Sequence, residues 1–191
     1  ILESYLPEVL RYFLISRQYR SPIDFTFTSM DDAEKNLKRL YQCILAVNEE
    51  KARAKRSANK LPEELLNEFN QHISAFYAAM EDDLNTAAAL GHVFGVVRLI
   101  YKVLEDKTLR LSANTPELLD KFEQERANWV KILGVFGQDP AQFFAELKQI
   151  QVKRKGLDVN KIEGLLQERK EARQNKDFAA SDAIRDELLA M

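Results

Sequence analysis

Three groups of side chains in this sequence carry reactive or ligating chemistry: Glu81-Asp82-Asp83, the histidines His72 and His92, and Cys43. Adjacent carboxylates can serve general acid–base catalysis or supply oxygen ligands to a hard cation. This run, however, separates two amphipathic stretches, and the helix macrodipole favours acids near an N-terminus. A solvated turn accounts for it better than a metal or acid–base site. Cys43 is the only cysteine, which excludes a disulfide framework and any zinc site built on thiolate pairs. His72 and His92 are the only bases available to a Ser-His-Asp or Cys-His arrangement. Both fall within helical stretches, where a neighbour usually satisfies the ring. There is no Gly-rich phosphate loop, no G-x-S-x-G and no metal-ligand spacing. The residues alone predict no catalytic site and no metal ligand.

The elements around these residues are helical. Leu65, Phe69, Ile73, Phe76 and Met80 recur at helical spacing, as do Leu90, Val93, Phe94, Val97, Ile100, Tyr101 and Leu104. Each stripe must be buried, and Asn85 and Thr86 between them are good N-cap residues. The stretch Glu64–Leu104 therefore predicts an antiparallel helical hairpin around which the other helices pack. Upstream, a helix starting near Pro7 carries Leu10, Phe13 and Leu14 and ends around Arg17 to Arg20. Ile23, Phe25 and Phe27 alternate with Asp24, Thr26 and Thr28, which fits a short extended segment. Thr28 and Ser29, with Asp31 and Asp32 three residues on, resemble a capping box. A long helix with Leu37, Leu40, Tyr41, Ile44, Leu45 and Val47 runs out into Lys51, Arg53, Lys55, Arg56 and Lys60. This basic run reads as a solvated helix end.

Downstream, Thr115-Pro116-Glu117 predicts an N-cap for a helix burying Leu118, Leu119, Phe122, Trp129, Ile132 and Leu133 and stopping near Gly134 or Gly137. Asp139-Pro140 caps another, with Phe143, Phe144, Leu147 and Ile150, which ends at Gly156. Residues 156–160 form the expected domain boundary. From Lys161 to Met191 a second helical pair turns at Lys176-Asp177, with Asp177 as N-cap and Phe178, Ala183, Ile184 and Leu188 along its second arm.

Composition agrees. The 191 residues are 46% hydrophobic and 30% charged, and only 6 Gly and 5 Pro leave little material for turns between many short strands. A net charge of −2 gives no global pull toward nucleic acid or membrane, so RNA binding needs local basic patches. No run of about 18 apolar residues is present to cross a membrane. The opening Ile1-Leu2-Glu3 has no Met and no signal-peptide pattern, as expected for part of a longer chain.

Four stretches carry a resemblance. Val9-Leu10-Arg11-Tyr12-Phe13-Leu14-Ile15-Ser16, then Tyr19-Arg20-Ser21, resembles the segment just past the KMSKS loop of cysteinyl-tRNA synthetase, a class I enzyme. Met80-Glu81-Asp82-Asp83-Leu84-Asn85-Thr86 is similar to that family's M-D-D-D-F-N-T stretch, and Ile132-Leu133-Gly134-Val135 to its V-L-G-L. Arg169 to Arg185 resembles R-x-x-A-R-x-x-K-D-[WF]-x-x-[AS]-D-x-x-R. Together they cover nearly the whole chain in order. There are departures: Ala87 stands where a proline commonly follows N-T, HIGH, KMSKS and the zinc-binding Cys and His residues are missing, and the sequence stops before the family's G-I-x-x-x-D hairpin and G-T-x-W ending.

The resemblance implies an all-α chain: the end of a stem-contact fold over 1–25, a tRNA-binding helical bundle over 26–156, and over 157–191 the truncated start of a C-terminal anticodon-binding domain. Arg17, Tyr19 and Arg20 would then face the inner corner of the tRNA and contact phosphates, which position without specifying. In the last pair, Arg173, Phe178, Asp182 and Arg185 would meet the anticodon. Phe178 would stack on a splayed base, Asp182 accept hydrogen bonds from guanine, and the arginines pair with phosphates or stack. By the same resemblance the partners are tRNA(Cys) and the catalytic domain of the same chain, in the cytoplasm. ATP and zinc belong to that missing domain, and this segment holds no cofactor. Two alternatives differ in kind. One is a helical protein–protein interaction module, which predicts a large exposed apolar patch. The other is the thiol-cofactor ligase that resembles these synthetases, for which the Arg169–Arg185 run has no use.

Overall fold

In a computed structural model that describes residues 1–53 and 55–190, the chain is helical throughout, with nine helices and no strand among the described residues. They are α1 (Pro7–Ile15), α2 (Phe27–Lys51), α3 (Glu63–Glu81), α4 (Thr86–Glu105), α5 (Lys107–Arg110), α6 (Thr115–Leu133), α7 (Pro140–Lys155), α8 (Val159–Gln174) and α9 (Phe178–Ala190). The predicted hairpin is α3 and α4. Asn85 caps α4 by accepting from the Ala88 amide at 3.1 Å, and the turn before it carries two non-glycine residues with left-handed backbone, Asp83 (φ 54°) and Leu84 (φ 53°).

Helix α4 lies at the centre. It buries Leu90, Val93, Val96, Val97, Ile100 and Val103 and packs against α2, α3 and α6. Removing one large apolar side chain from water contributes about 1.5–3 kcal/mol, so this helix anchors the bundle. By length and composition α4 alone among the described residues could cross a membrane, against the sequence expectation. Its apolar side chains are buried against neighbouring helices while Arg98 and Lys102 stay exposed, as in the core helix of a bundle.

Helix α1 shares that core through Val9, Tyr12 and Phe13, while Leu14 on the expected face is exposed. A buried carboxylate ties α1 to the far end of α6. Glu8 accepts from the Phe136 amide at 2.5 Å and from the Tyr41 hydroxyl at 2.9 and 3.0 Å, and the Tyr41 oxygen accepts from the Gln138 amide at 3.1 Å. Burial raises the Glu8 carboxyl above its usual range, and the bonds to Phe136 and Tyr41 oppose that rise. At the end of α7, Arg154 pairs with Glu34 at 3.2 Å and lies over the Tyr5 ring at 4.6 Å.

Four local expectations are corrected. The extended segment read over 21–28 stops short: residues 21–26 are irregular, Phe27 and Thr28 already open α2, and Phe25 packs edge-on against Phe13 and Phe27. The cap of α2 is Thr26, two residues before the expected box, and its side chain accepts from the Ser29 amide at 3.0 Å. Asn114, not Thr115, precedes α6. Its side chain instead accepts from the Leu61 amide at 2.8 Å, and the Thr115 hydroxyl donates to the Leu109 carbonyl at 2.7 Å. Ile132 is exposed because it falls off the stripe of Leu118, Phe122, Trp129 and Leu133. By contrast Gly134 and Gly156 close α6 and α7 in left-handed conformation (φ 69° and 63°), Asp139 caps α7, and Asp177 accepts from the Ala180 amide, all as read.

Beyond Gly156 the packing thins. Asp158 caps α8 through the Lys161 amide at 3.1 Å. Helices α8 and α9 pack mainly on each other. Leu165 and Ser181 are their buried residues among those described.

Candidate nucleic-acid interface

The residues singled out from the sequence fall into two groups, and no ion pair or hydrogen bond joins the groups among the described residues. The first sits where α1 runs out. Tyr19 and Arg20 are exposed, and both reach the turn between α3 and α4. The Tyr19 hydroxyl donates to Asp83 Oδ1 at 2.9 Å and Arg20 Nη2 to the same oxygen at 2.9 Å. Arg20 Nε donates to the Tyr19 oxygen at 2.8 Å, with the guanidinium 5.4 Å from the Tyr19 ring centre. Arg17 is exposed but outside this triad, lining a small cleft with Ser16, Asp32 and Asn36. The carboxylate run is thus more than a solvated turn, because Asp83 holds two side chains more than 60 residues away in sequence.

The second group lies on α8 and α9. Arg173 lies in the last turn of α8 and Phe178 opens α9, so they flank the turn. Phe178, Asp182 and Arg185 follow at i, i+4 and i+7 and form one stripe, away from Ser181, Ile184 and Leu188, which face inward. Phe178 is 64% exposed and so is not core. Arg185 pairs with Asp182 at 3.1 Å and with Asp186 at 2.9 Å. Those carboxylates, Asp186 first, raise its pKa further and keep it charged. An exposed aromatic of this kind can stack on an unstacked base, while the Arg185 fork is held by the two carboxylates.

Other candidates resolve into internal contacts. Of the basic run after α2, Arg56 at 2.6 Å and Arg53 at 3.1 Å pair with buried Glu50, as does Arg110 at 3.7 Å, and Lys51 meets Asp120 at 2.5 Å, while Lys55 and Lys60 stay exposed. His72 and His92 satisfy each other, Nδ1 to Nδ1 at 3.2 Å, so one donates and the other accepts. Burial, then the neighbouring His92, lowers the His72 pKa. Gly95 makes this possible, since a Cβ there would lie 2.4 Å from the His72 ring. Cys43 is buried, and burial pushes its thiol up to about 12. No cluster of three or more His, Cys, Asp or Glu suited to a metal occurs among the described residues.

The sequence pattern of the DALR domain matches residues 75–137, from the second half of α3 through α6, and so includes Asp83. The whole chain is 56% identical to the cysteine–tRNA ligase of Nitratidesulfovibrio vulgaris (strain Hildenborough), 52% to that of Oleidesulfovibrio alaskensis and 39% to that of Lawsonia intracellularis. Along its whole length the chain is similar to cysteine–tRNA ligases. It spans 39% of the length of each of these ligases.

Proposed function

We propose that this chain is the tRNA-binding C-terminal region of a cysteine–tRNA ligase, placing tRNA(Cys) and contributing to anticodon recognition while a catalytic domain elsewhere in the protein attaches cysteine at the expense of ATP. The observation that carries this reading is the exposed stripe of Phe178, Asp182 and Arg185 in a chain aligned along its whole length with such ligases. Residues 1–25 act as the end of the stem-contact fold, 26–156 as the bundle that sets the distance between active site and anticodon, and 157–191 as the start of the anticodon-binding domain. ATP and the cysteine-selecting zinc belong with the catalytic domain, in the cytoplasm. No step of that chemistry is assigned to this chain.

A filter-binding titration with cysteine tRNA and a non-cognate tRNA at two salt concentrations tests the reading. Salt-sensitive binding that favours the cognate tRNA is expected, because phosphate contacts release counterions while base contacts discriminate. Binding without preference would remove anticodon reading from α9. The chain alone should show no cysteine-dependent pyrophosphate exchange, and measurable exchange would place chemistry here after all.

One observation favours a protein contact as well. Ile23, Phe25 and Phe27 are exposed on one short segment, and the relatives are more than twice this chain's length. We infer that the catalytic part of the protein covers this segment.

A further inference from the structure

The guanidinium of Arg20 is held on one side and open on the other. Its Nε and Nη2 atoms donate to the Tyr19 oxygen and to Asp83, whereas Nη1 has no protein acceptor among the described residues. The side chain stays 68% exposed while its Asp83 partner is 44% exposed. A guanidinium has five N–H donors in a rigid fork, so fixing one edge determines where the other points. Asp83 in turn is held by the turn itself, where two consecutive non-glycine residues take left-handed backbone. Such outliers persist only where the surroundings over-determine them and gather at sites of function.

We propose that Asp83 is a positioning residue that holds Tyr19 and Arg20 so that the free edge of the Arg20 fork meets one RNA phosphate. This rests on the tRNA-binding reading above. The carboxylate does not touch the RNA. It fixes the fork before the RNA arrives, and less side-chain freedom is then lost on binding. Removing this negative charge next to a phosphate site therefore weakens binding. An acid acting only as a repulsive neighbour, or as a competitor for Arg20, gives the opposite sign.

The test uses the 191-residue chain and a cysteine tRNA transcript, with Asp83→Asn, Arg20→Ala and the double variant. Asparagine tolerates left-handed backbone and retains only a neutral acceptor, which binds about half as strongly as a charged one. Arg20→Ala is expected to weaken binding roughly tenfold and lower the slope of log affinity against log salt by about one phosphate contact. Asp83→Asn is expected to weaken it about threefold, with no further loss in the double variant. The Arg20 Nε–H resonance, held in the native chain, is expected to broaden in Asp83→Asn. Unchanged or tighter binding by Asp83→Asn while Arg20→Ala weakens it overturns the positioning role and leaves the tRNA-binding reading intact. Native affinity in Arg20→Ala removes the phosphate contact itself, and the inference with it.

Discussion

The bundle and the terminal helical pair are both built from capped amphipathic helices, yet they use them differently. The bundle buries Trp129, Phe69, Phe76, Phe122, Phe136 and Phe143 almost completely in one continuous cluster. The pair buries Leu165 and Ser181 and leaves Leu166, Phe178 and Leu189 at least half exposed. Stability therefore resides in the bundle, and the pair has large side chains free for a ligand. A recognition surface mounted on a rigid body can change its contacts without unsettling the fold.

This contrast breaks most easily in the core. Phe122→Ala should lower unfolding stability by about 3–5 kcal/mol in a urea melt, with little change in the RNA affinity of the folded fraction. Leu165→Ala should fall at the low end of about 2–5 kcal/mol and act locally: faster amide exchange in α8 and α9, with the bundle's main transition unmoved. A full shift of that transition would mean the two regions unfold as one. Phe178→Ala should cost about 1–3 kcal/mol of RNA affinity if a base stacks there, at an unchanged melting midpoint.

Two titrating groups of the bundle give smaller effects. The Glu8 carboxyl is raised above 4.5, so the native chain binds its proton before the unfolded chain does. Native stability should therefore gain on Glu8→Gln as pH falls through the window just above 4.5. His72 is shifted the other way. Below its ordinary 6.5 the unfolded chain takes up the proton first, so stability is lost as pH falls, and His72→Gln should flatten that loss. Parallel curves for either variant and the native chain would remove the assigned group from the titration.

What the sequence made legible was local. Asn85, Asp139, Asp177, Gly134 and Gly156 were readable because a cap bonds within its own turn. Thr26 and Asn114 were misplaced because several polar residues compete at each start and tertiary contacts decide, as the bond from Leu61 to Asn114 shows. The alternation of Ile23, Phe25 and Phe27 suggested a short extended segment through Thr28, but Phe27 and Thr28 already belong to α2 and the rest is irregular, with Phe25 edge-on to Phe13. Glu8 gave no signal in the sequence, since its partner Phe136 is 128 residues away. The site was legible in part. Resemblance supplied Phe178, Asp182 and Arg185, and helical spacing alone puts them on one face. Nothing local announced that Asp83 would meet Arg20.

The joint at Gly156 has a mechanical consequence. Three residues, 156–158, separate the end of α7 from the start of α8. The 16 residues of α8 rise about 24 Å. Each degree of swing about that joint then displaces the far end, where Arg173 and Phe178 sit, by roughly 0.4 Å. The arm is a lever with a short fulcrum: small changes of torsion at its base become base-sized displacements at its tip.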